Sequence, residues 1–451
     1  MKKNVKIGLE IHGYIQTKEK LFCRCKSSRH SKKEEIEENF HVCPICTGQP
    51  GCKPMLPNEE AVKKIIQIGL ILGCKINNYV RFQRKHYDWP DLPKGYQDTV
   101  SGAYSIPNCV EGEFEDIKIR EIHLEEDPAA WNPETGCVDY NRSGLPLVEI
   151  VTEPDFKSSE EVVLWLRKLI LALSYIKAVD KNAGIKADVN VSINNGERVE
   201  VKNVNSIENI KQAIEYEINR QGKEKVERET RRFRDGKTTR MRGKEDQADY
   251  RFIPDPDLPE IYVENKLIQE IKKNLPESPE EKLSKLLKKH KIKDKDAEVL
   301  YRDFDLVEFF ERVSEKIDPK FALSWVTIEL NRILNYNKKN LDEVDIKVED
   351  FVNLLKLINE GKITELKGKE ILNDFVPKSF KVKVEDYKKI DDKDEIEGIV
   401  EEVIGKNSKA VEDYRGGEEK ALNFLIGQVM RLSEKRADYK TVREIILKKI
   451  K

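Results

Sequence analysis

A change of texture near Pro276 constrains the fold most. Before it, short runs that alternate apolar and polar residues recur between amphipathic helical patterns. After it, strand signals vanish and Lys/Glu-rich helical spacing takes over. Strands mixed with helices, followed by helices alone, read as an α+β body with an all-α extension. The expected division is a mixed sheet-and-helix domain over 1–276, a helical domain over 277–390 and a small helical tail over 391–451. A charged stretch, Asp391–Glu395, marks the hinge before the tail.

Three helices are legible in the body. Asn58 caps one that ends near Gly73, Ser158 opens a second, and Ser206 caps a third with Ile207, Ile210, Ala213, Ile214 and Ile218 facing inward. Strands are expected at 117–124, 147–152, 186–193 and 198–202. In the extension, 278–289, 296–317, 321–336, 418–432 and 439–450 have helical spacing.

The chain opens on Val5, Ile7, Leu9 and Ile11 alternating with polar positions, which is the period of a strand. Glu10 and His12 then share the opposite face, a carboxylate and an imidazole side by side on a rigid support. Such a pair suits metal ligation or acid/base work, and it is equally at home on a solvated strand face.

Composition narrows the class. Hydrophobic residues make up 38% and charged residues 37%, which gives a heavily charged surface. The net charge of -1 leaves no global basic field, so a nucleic acid would need local patches. No signal peptide and no bilayer-length apolar run is seen, and the cytoplasm is the expected compartment.

Eight cysteines are present. Cys23 and Cys25 form a C-x-C pair, and Cys43 and Cys46 a C-x-x-C pair, separated by a polar loop that cannot pack alone. Two close thiolate pairs suit a closed tetrahedral, structural zinc site, making 23–46 a zinc-binding insertion. Cys52, Cys74, Cys109 and Cys137 read as small buried apolar residues.

Oxygen-rich clusters suit magnesium instead. Glu125, Glu126 and Asp127 end one strand in a row of acids, whose repulsion asks for a cation or solvent. Asp188, Asn190 and Ser192 share one strand face, and the next strand, which carries Glu200, adds Lys202 and then Asn205. Together these supply acids for a metal, a lysine for phosphate and amides for orientation, the parts of a phosphoryl-transfer site. No G-x-x-x-x-G-K-[ST] loop, dinucleotide fingerprint or G-x-S-x-G elbow is present. An ATP site here would use an unusual scaffold, and any ammonia would come from another chain. The loop 89–97 is bounded by prolines and displays Lys94 and Gln97. A basic run from Arg228 to Lys244 reads either as a solvated loop or as contact with polyphosphate, with Arg231 and Arg232 as nucleotide candidates.

GLEIH at 8–12, WPDLPKGYQ at 89–97, IHLEED at 122–127, DYNRSGLPLVEIVTEPD at 139–155, VKNVNS at 201–206, ETRRF at 229–233 and YRFIPDPDLP at 250–259 follow in order. Together with AVEDYRGGEEKALNFLIGQVMR at 410–431, they resemble the B subunit family of the aspartyl/glutamyl-tRNA(Asn/Gln) amidotransferase. The resemblance implies a cradle-like kinase domain over 1–276 that uses ATP and magnesium to phosphorylate the side-chain carboxylate of Glu-tRNA(Gln) or Asp-tRNA(Asn). Ammonia comes from a partner amidase subunit that hydrolyses glutamine or asparagine, a small third subunit braces the pair, and the helical domain and tail hold the misacylated tRNA. By the same resemblance Glu10, His12, Glu125 and Glu126 are the catalytic magnesium site. Asp188, Asn190, Glu200 and Lys202 are then contacts for the nucleotide or acyl group. Pro128–Trp131 and Lys186–Ala187 depart from the usual family strings. The rival readings are a noncatalytic, zinc-containing tRNA-binding scaffold subunit and a small-molecule carboxylate kinase. The long helical extension weighs against the second.

Overall fold

The computed structural model describes residues 4–27, 36–179, 185–243, 250–291, 300, 304–390 and 392–450. Two compact units divide at Pro279/Glu280.

The first unit is built on strands β1 (Val5–Tyr14), β2 (Lys75–Ile76), β3 (Tyr79–Val80), β4 (Gln83–His86), β5 (Gln97–Thr99), β6 (Cys109–Phe114), β7 (Ile117–Glu126) and β8 (Ala130–Trp131). It continues with β9 (Val138–Asp139), β10 (Pro146–Thr152), β11 (Lys186–Ile193), β12 (Val199–Asn205), β13 (Glu229–Arg234), β14 (Lys237–Gly243), β15 (Arg251–Pro254) and β16 (Ile261–Tyr262). Twelve strands form one sheet in the order β14-β13-β12-β11-β1-β10-β7-β5-β4-β15, with β6 also paired to β7 and β2. The β12–β13 pair is parallel. A parallel neighbour needs a crossover, and helix α3 (Ile207–Gln221) supplies it. Helices α1 (Glu59–Ile71) and α2 (Ser159–Tyr175) complete the cover. Each begins where capping chemistry predicts. Asn58 accepts from Glu60 N and Ala61 N, Ser158 from Glu161 N, and Ser206 from Asn209 N.

The alternation in β1 is realised residue by residue. Ile7, Leu9 and Ile11 are buried in the core with Val189 and Val191 of β11, Val148 and Ile150 of β10, and Ile122 and Leu124 of β7. The opposite face of these same strands carries Glu10, His12, Asp188, Asn190, Glu149 and Glu125. A helix-covered apolar face thus holds a polar face rigid.

Several expectations are corrected. The loop 89–97 does not display its Lys and Gln: Lys94 lies in a largely buried ion-pair cluster, and Gln97 is buried in β5. Cys74 and Cys109 are buried as read, but Cys52 and Cys137 are exposed. The basic run is not a loop but forms the β13–β14 hairpin, and Lys244 lies outside the described residues.

The second unit is helical. Helices at Pro319–Ser324 and Asn331–Tyr336 flank one π turn, Trp325–Leu330, inside the single helix read over 321–336. Residues 296–299 and 301–303 of the helix read over 296–317, and Asp391 of the hinge, lie outside the described residues. Phe310, Val326, Leu330, Phe351 and Leu355 anchor one core. Helices Lys393–Lys406, Ser408–Arg415, Glu419–Leu432 and Tyr439–Ile450 close a separate one around Val400, Leu425, Val429 and Ile446.

Candidate active site and four-cysteine centre

The register of the sheet decides which polar residues meet. β1 pairs antiparallel with β10, placing His12 opposite Glu149, and with β11, placing Glu10 opposite Asp188. β10 pairs with β7, placing Leu147 opposite Glu125. His12, Glu125 and Glu149 therefore converge, with one ligand atom from each within 4.8 Å of the others. Glu10, Asp188 and Glu200 converge in the same way, within 4.8 Å. Two adjacent groups result, sharing β1 as their backbone.

Glu126 joins neither. Its position on β7 turns it to the other face, since successive residues alternate. There Lys94 Nζ lies 2.6 Å from its carboxylate, and the Asp98 backbone N–H donates to it at 3.0 Å. The row of acids is thus relieved by dispersal. Asp127 accepts from Tyr14 Oη at 2.6 Å and lies 3.3 Å from Arg142 Nε.

Burial and the facing Glu149 charge push the Glu125 carboxyl up. Burial also acts on Glu149, but a hydrogen bond with His123 and the His12 and His123 charges outweigh it and hold that carboxyl well below the usual range. His123 lies between two acids, 3.3 Å from Glu149 through Nδ1 and 3.3 Å from Glu121 through Nε2. Burial lowers its basicity, and the two carboxylates more than restore it, to about 9.

In the second group Lys202 Nζ lies 2.6 Å from Asp188 and 3.0 Å from Glu200. Thr230 Oγ1 donates to Glu200 at 3.0 Å, and Asn190 Nδ2 to Glu10 at 3.2 Å. Burial, then Glu149, Asp188 and Glu200, push the Glu10 carboxyl up. Asn190 Oδ1 is buried with no hydrogen-bond partner among the described residues. Such an orphaned oxygen beside three carboxylates fits a hard cation.

Arg231 and Arg232 part company. Arg231 donates to Thr238 Oγ1 and Thr238 O at 2.8 Å each, and lies 3.3 Å from Glu217 of α3, so it is spent inside the fold. Arg232 sits opposite Lys202 and donates weakly to Thr239 Oγ1.

A cavity of about 840 Å³ opens over this face. His12, Glu125, Asp188, Lys202 and Thr230 line it, with the cations Lys85, Lys186 and Arg142 and the aromatics Tyr87, Trp89 and Tyr250. The size suits a nucleotide-scale ligand, and the mix of acids, cations and rings suits polyphosphate and base. Sequence reasoning passed over Glu149, Arg142 and Lys85. Glu149 had a signal: it is the one charged residue in the apolar strand Pro146–Thr152.

The four cysteines form a second centre. Their sulfurs lie within 4.8 Å of one another, with Cys46 Sγ 4.0 Å from Cys25 Sγ and 3.9 Å from Cys43 Sγ. A tetrahedral zinc with sulfurs at about 2.3 Å places them about 3.8 Å apart, so the donor set fits. The Cys43 N–H donates to Cys46 Sγ at 3.2 Å, and Lys20 Nζ lies 3.4 Å from the same sulfur. The bond with Cys23 and the Lys20 charge outweigh burial and bring the Cys46 thiol down to about 5.

Among the described residues no helix is long and apolar enough to cross a membrane. Residues 5–269 match a family model described as the GatB/GatE catalytic domain, and residues 308–450 match one described as the GatB domain. The B subunit of the aspartyl/glutamyl-tRNA(Asn/Gln) amidotransferase from Methanocaldococcus jannaschii is 45% identical, covering 99% of this chain and 98% of its own. The protein of the same name from Methanopyrus kandleri is 44% identical, covering 96% of each. With matches over nearly its whole length, the chain belongs to the family of aspartyl/glutamyl-tRNA(Asn/Gln) amidotransferase B subunits.

Proposed function

We propose that this chain is the subunit that activates the side-chain carboxylate of Glu-tRNA(Gln), Asp-tRNA(Asn) or both with ATP, and amidates it with ammonia from a partner amidase acting on glutamine. The observation that carries the reading is the convergence of His12, Glu125 and Glu149 beside Glu10, Asp188 and Glu200, with His12, Glu125 and Asp188 lining a cavity that also holds cationic side chains.

A carboxylate is a poor electrophile because its charge repels a nucleophile and oxide leaves badly. Transfer of the γ-phosphoryl group converts it to an acyl phosphate, which ammonia attacks with loss of phosphate. Magnesium, when bound, would neutralise the charge that develops on the phosphoryl oxygens. His12, Glu125 and Glu149 are the residues to hold one such ion, and Glu10, Asp188, Glu200 and Asn190 Oδ1 a second. Lys85, Lys186 and Arg142 line the same cavity and are placed to draw polyphosphate in. Lys202 bridges Asp188 and Glu200 and offsets their mutual repulsion. Zinc at Cys23, Cys25, Cys43 and Cys46 would be structural, because all four positions are protein ligands. The helical tail is the proposed tRNA contact, and a small third subunit, bracing this chain against the amidase, completes the assembly proposed in the cytoplasm.

The test is amidation by the purified chain with its amidase, misacylated tRNA, ATP and glutamine. His12→Ala and Glu125→Ala should each abolish Gln-tRNA or Asn-tRNA formation and leave tRNA affinity within twofold. Full activity in both variants would remove the metal assignment. A noncatalytic scaffold would tolerate both changes.

A further inference from the structure

The four-cysteine centre and one wall of the cavity are far apart in sequence but joined by a polar seam. Asn39 Oδ1 accepts the Tyr140 N–H at 2.7 Å, the Asn39 N–H donates to Asp139 Oδ1 at 2.9 Å, and Asn39 Nδ2 donates to Val138 O at 3.1 Å. The His41 N–H donates to Asn141 Oδ1 at 2.8 Å, and Asn141 Nδ2 donates to Glu37 O at 2.7 Å. Ser143 Oγ donates to the carbonyl of Cys46 itself at 2.7 Å. Lys20, 1% exposed, completes the seam: its ammonium reaches Cys46 Sγ and donates to Tyr140 O at 3.0 Å.

On the far side of the seam, Asp139, Asn141 and Arg142 line the cavity. Arg142 donates to Pro128 O and Ala129 O and lies 3.3 Å from Asp127 Oδ2, so the segment Val138–Gly144 delivers a guanidinium to the site. On the near side, residues 36–42 have no helix or strand to hold them. They are anchored where they enter the sulfur cluster at Cys43. A buried ammonium also needs a nearby negative charge, and a zinc bound by four thiolates carries a net charge of about −2.

We propose that the four-cysteine centre positions the wall of the cavity. With its metal bound, residues 37–46 hold Val138–Gly144, and through it Arg142, at the site; without the metal that wall loosens. Lys20, Asn39 and Ser143 are positioning residues in this arrangement. The inference rests on the zinc reading of the four cysteines.

The test uses the full chain assembled with its amidase. Metal analysis is followed by hydrogen exchange of the peptide covering 138–144, before and after chelation. Asn39→Gly is the companion variant. Asn39 has φ of 58°, which glycine adopts freely, so the change removes two side-chain bonds without straining the turn or touching a sulfur. The expected result is one zinc per chain and exchange at 138–144 at least tenfold faster after chelation, with 186–193 unchanged. Asn39→Gly should keep its zinc, speed the same exchange and raise the KM for ATP at least fivefold with kcat within twofold. A role confined to stability would lower the melting temperature and leave KM alone, which overturns the positioning role. Bound zinc whose removal leaves exchange at 138–144 unaltered overturns the coupling only. A chain that neither retains nor takes up zinc overturns the metal reading, and this inference with it.

Discussion

Glu125 and Glu126 are neighbours in sequence and lie on opposite faces of one sheet. Glu125 lines the cavity and meets His12 and Glu149, while Glu126 is paired with Lys94 on the far side. The two should therefore respond differently to the same change. Glu125→Gln is expected to cost at least 100-fold in amidation rate, the loss seen when a transition-state charge stabiliser is weakened, with little change in melting temperature. Glu126→Gln is expected to lower stability by about 1–3 kcal/mol with a much smaller effect on rate. Paired urea melts and amidation assays on the two variants measure the contrast.

Lys202 supplies a positive charge between Asp188 and Glu200. Lys202→Met leaves Glu10, Asp188 and Glu200 to repel one another. The variant should melt lower than the parent without divalent cations and recover more on adding millimolar magnesium. A melting series against magnesium checks this, and equal magnesium shifts for the two proteins would contradict it.

His123 gives the chain a pH signature. Its folded-state value, about 9, lies above the ordinary imidazole value of 6.5. The folded state therefore binds the proton more tightly than the unfolded chain does. The resulting stability, on the order of 3 kcal/mol, is fully present below about pH 6.5 and is lost as pH rises through about 9. His123→Gln should remove that slope. Urea midpoints at pH 6, 7.5 and 9.5 for parent and variant show it.

Removing the tail core, by ending the chain after Ile390, should weaken misacylated-tRNA binding at least tenfold and reduce the steepness of its salt dependence. The first unit should keep its melting transition, since its core is built from residues before Leu275. Filter binding at two salt concentrations, with a calorimetric scan, tests both halves.

The fold was legible where periodicity was strong. The strand Lys186–Ile193 and the helix Tyr439–Ile450 stand where the alternation and the helical spacing put them. Short strands such as Gln97–Thr99 were not, because three residues carry too little pattern to separate a strand from a Pro-bounded loop. The π turn at Trp325–Leu330 was likewise invisible, since its residues keep the apolar spacing of an ordinary helix. At the site, Glu10, His12, Asp188 and Glu125 could be picked out by residue type and strand face. Their grouping could not, because it depends on register between strands distant in sequence: Glu149 comes to His12 only through the β1–β10 pairing. The face of Glu126 was readable in principle, as adjacent residues on a strand cannot point the same way. Arg231 needed the structure, since its partner Glu217 lies on a helix the basic run does not reveal.

One strand, β1, carries both Glu10 and His12. Their backbone separation is two residues of a pleated strand, about 6.8 Å, locked by pairing on either side. No loop movement can stretch or shorten it. The sheet therefore acts as a ruler: whatever the loops around the cavity do, a substrate that engages the Glu10 carboxylate and the His12 imidazole at once must match this one fixed span.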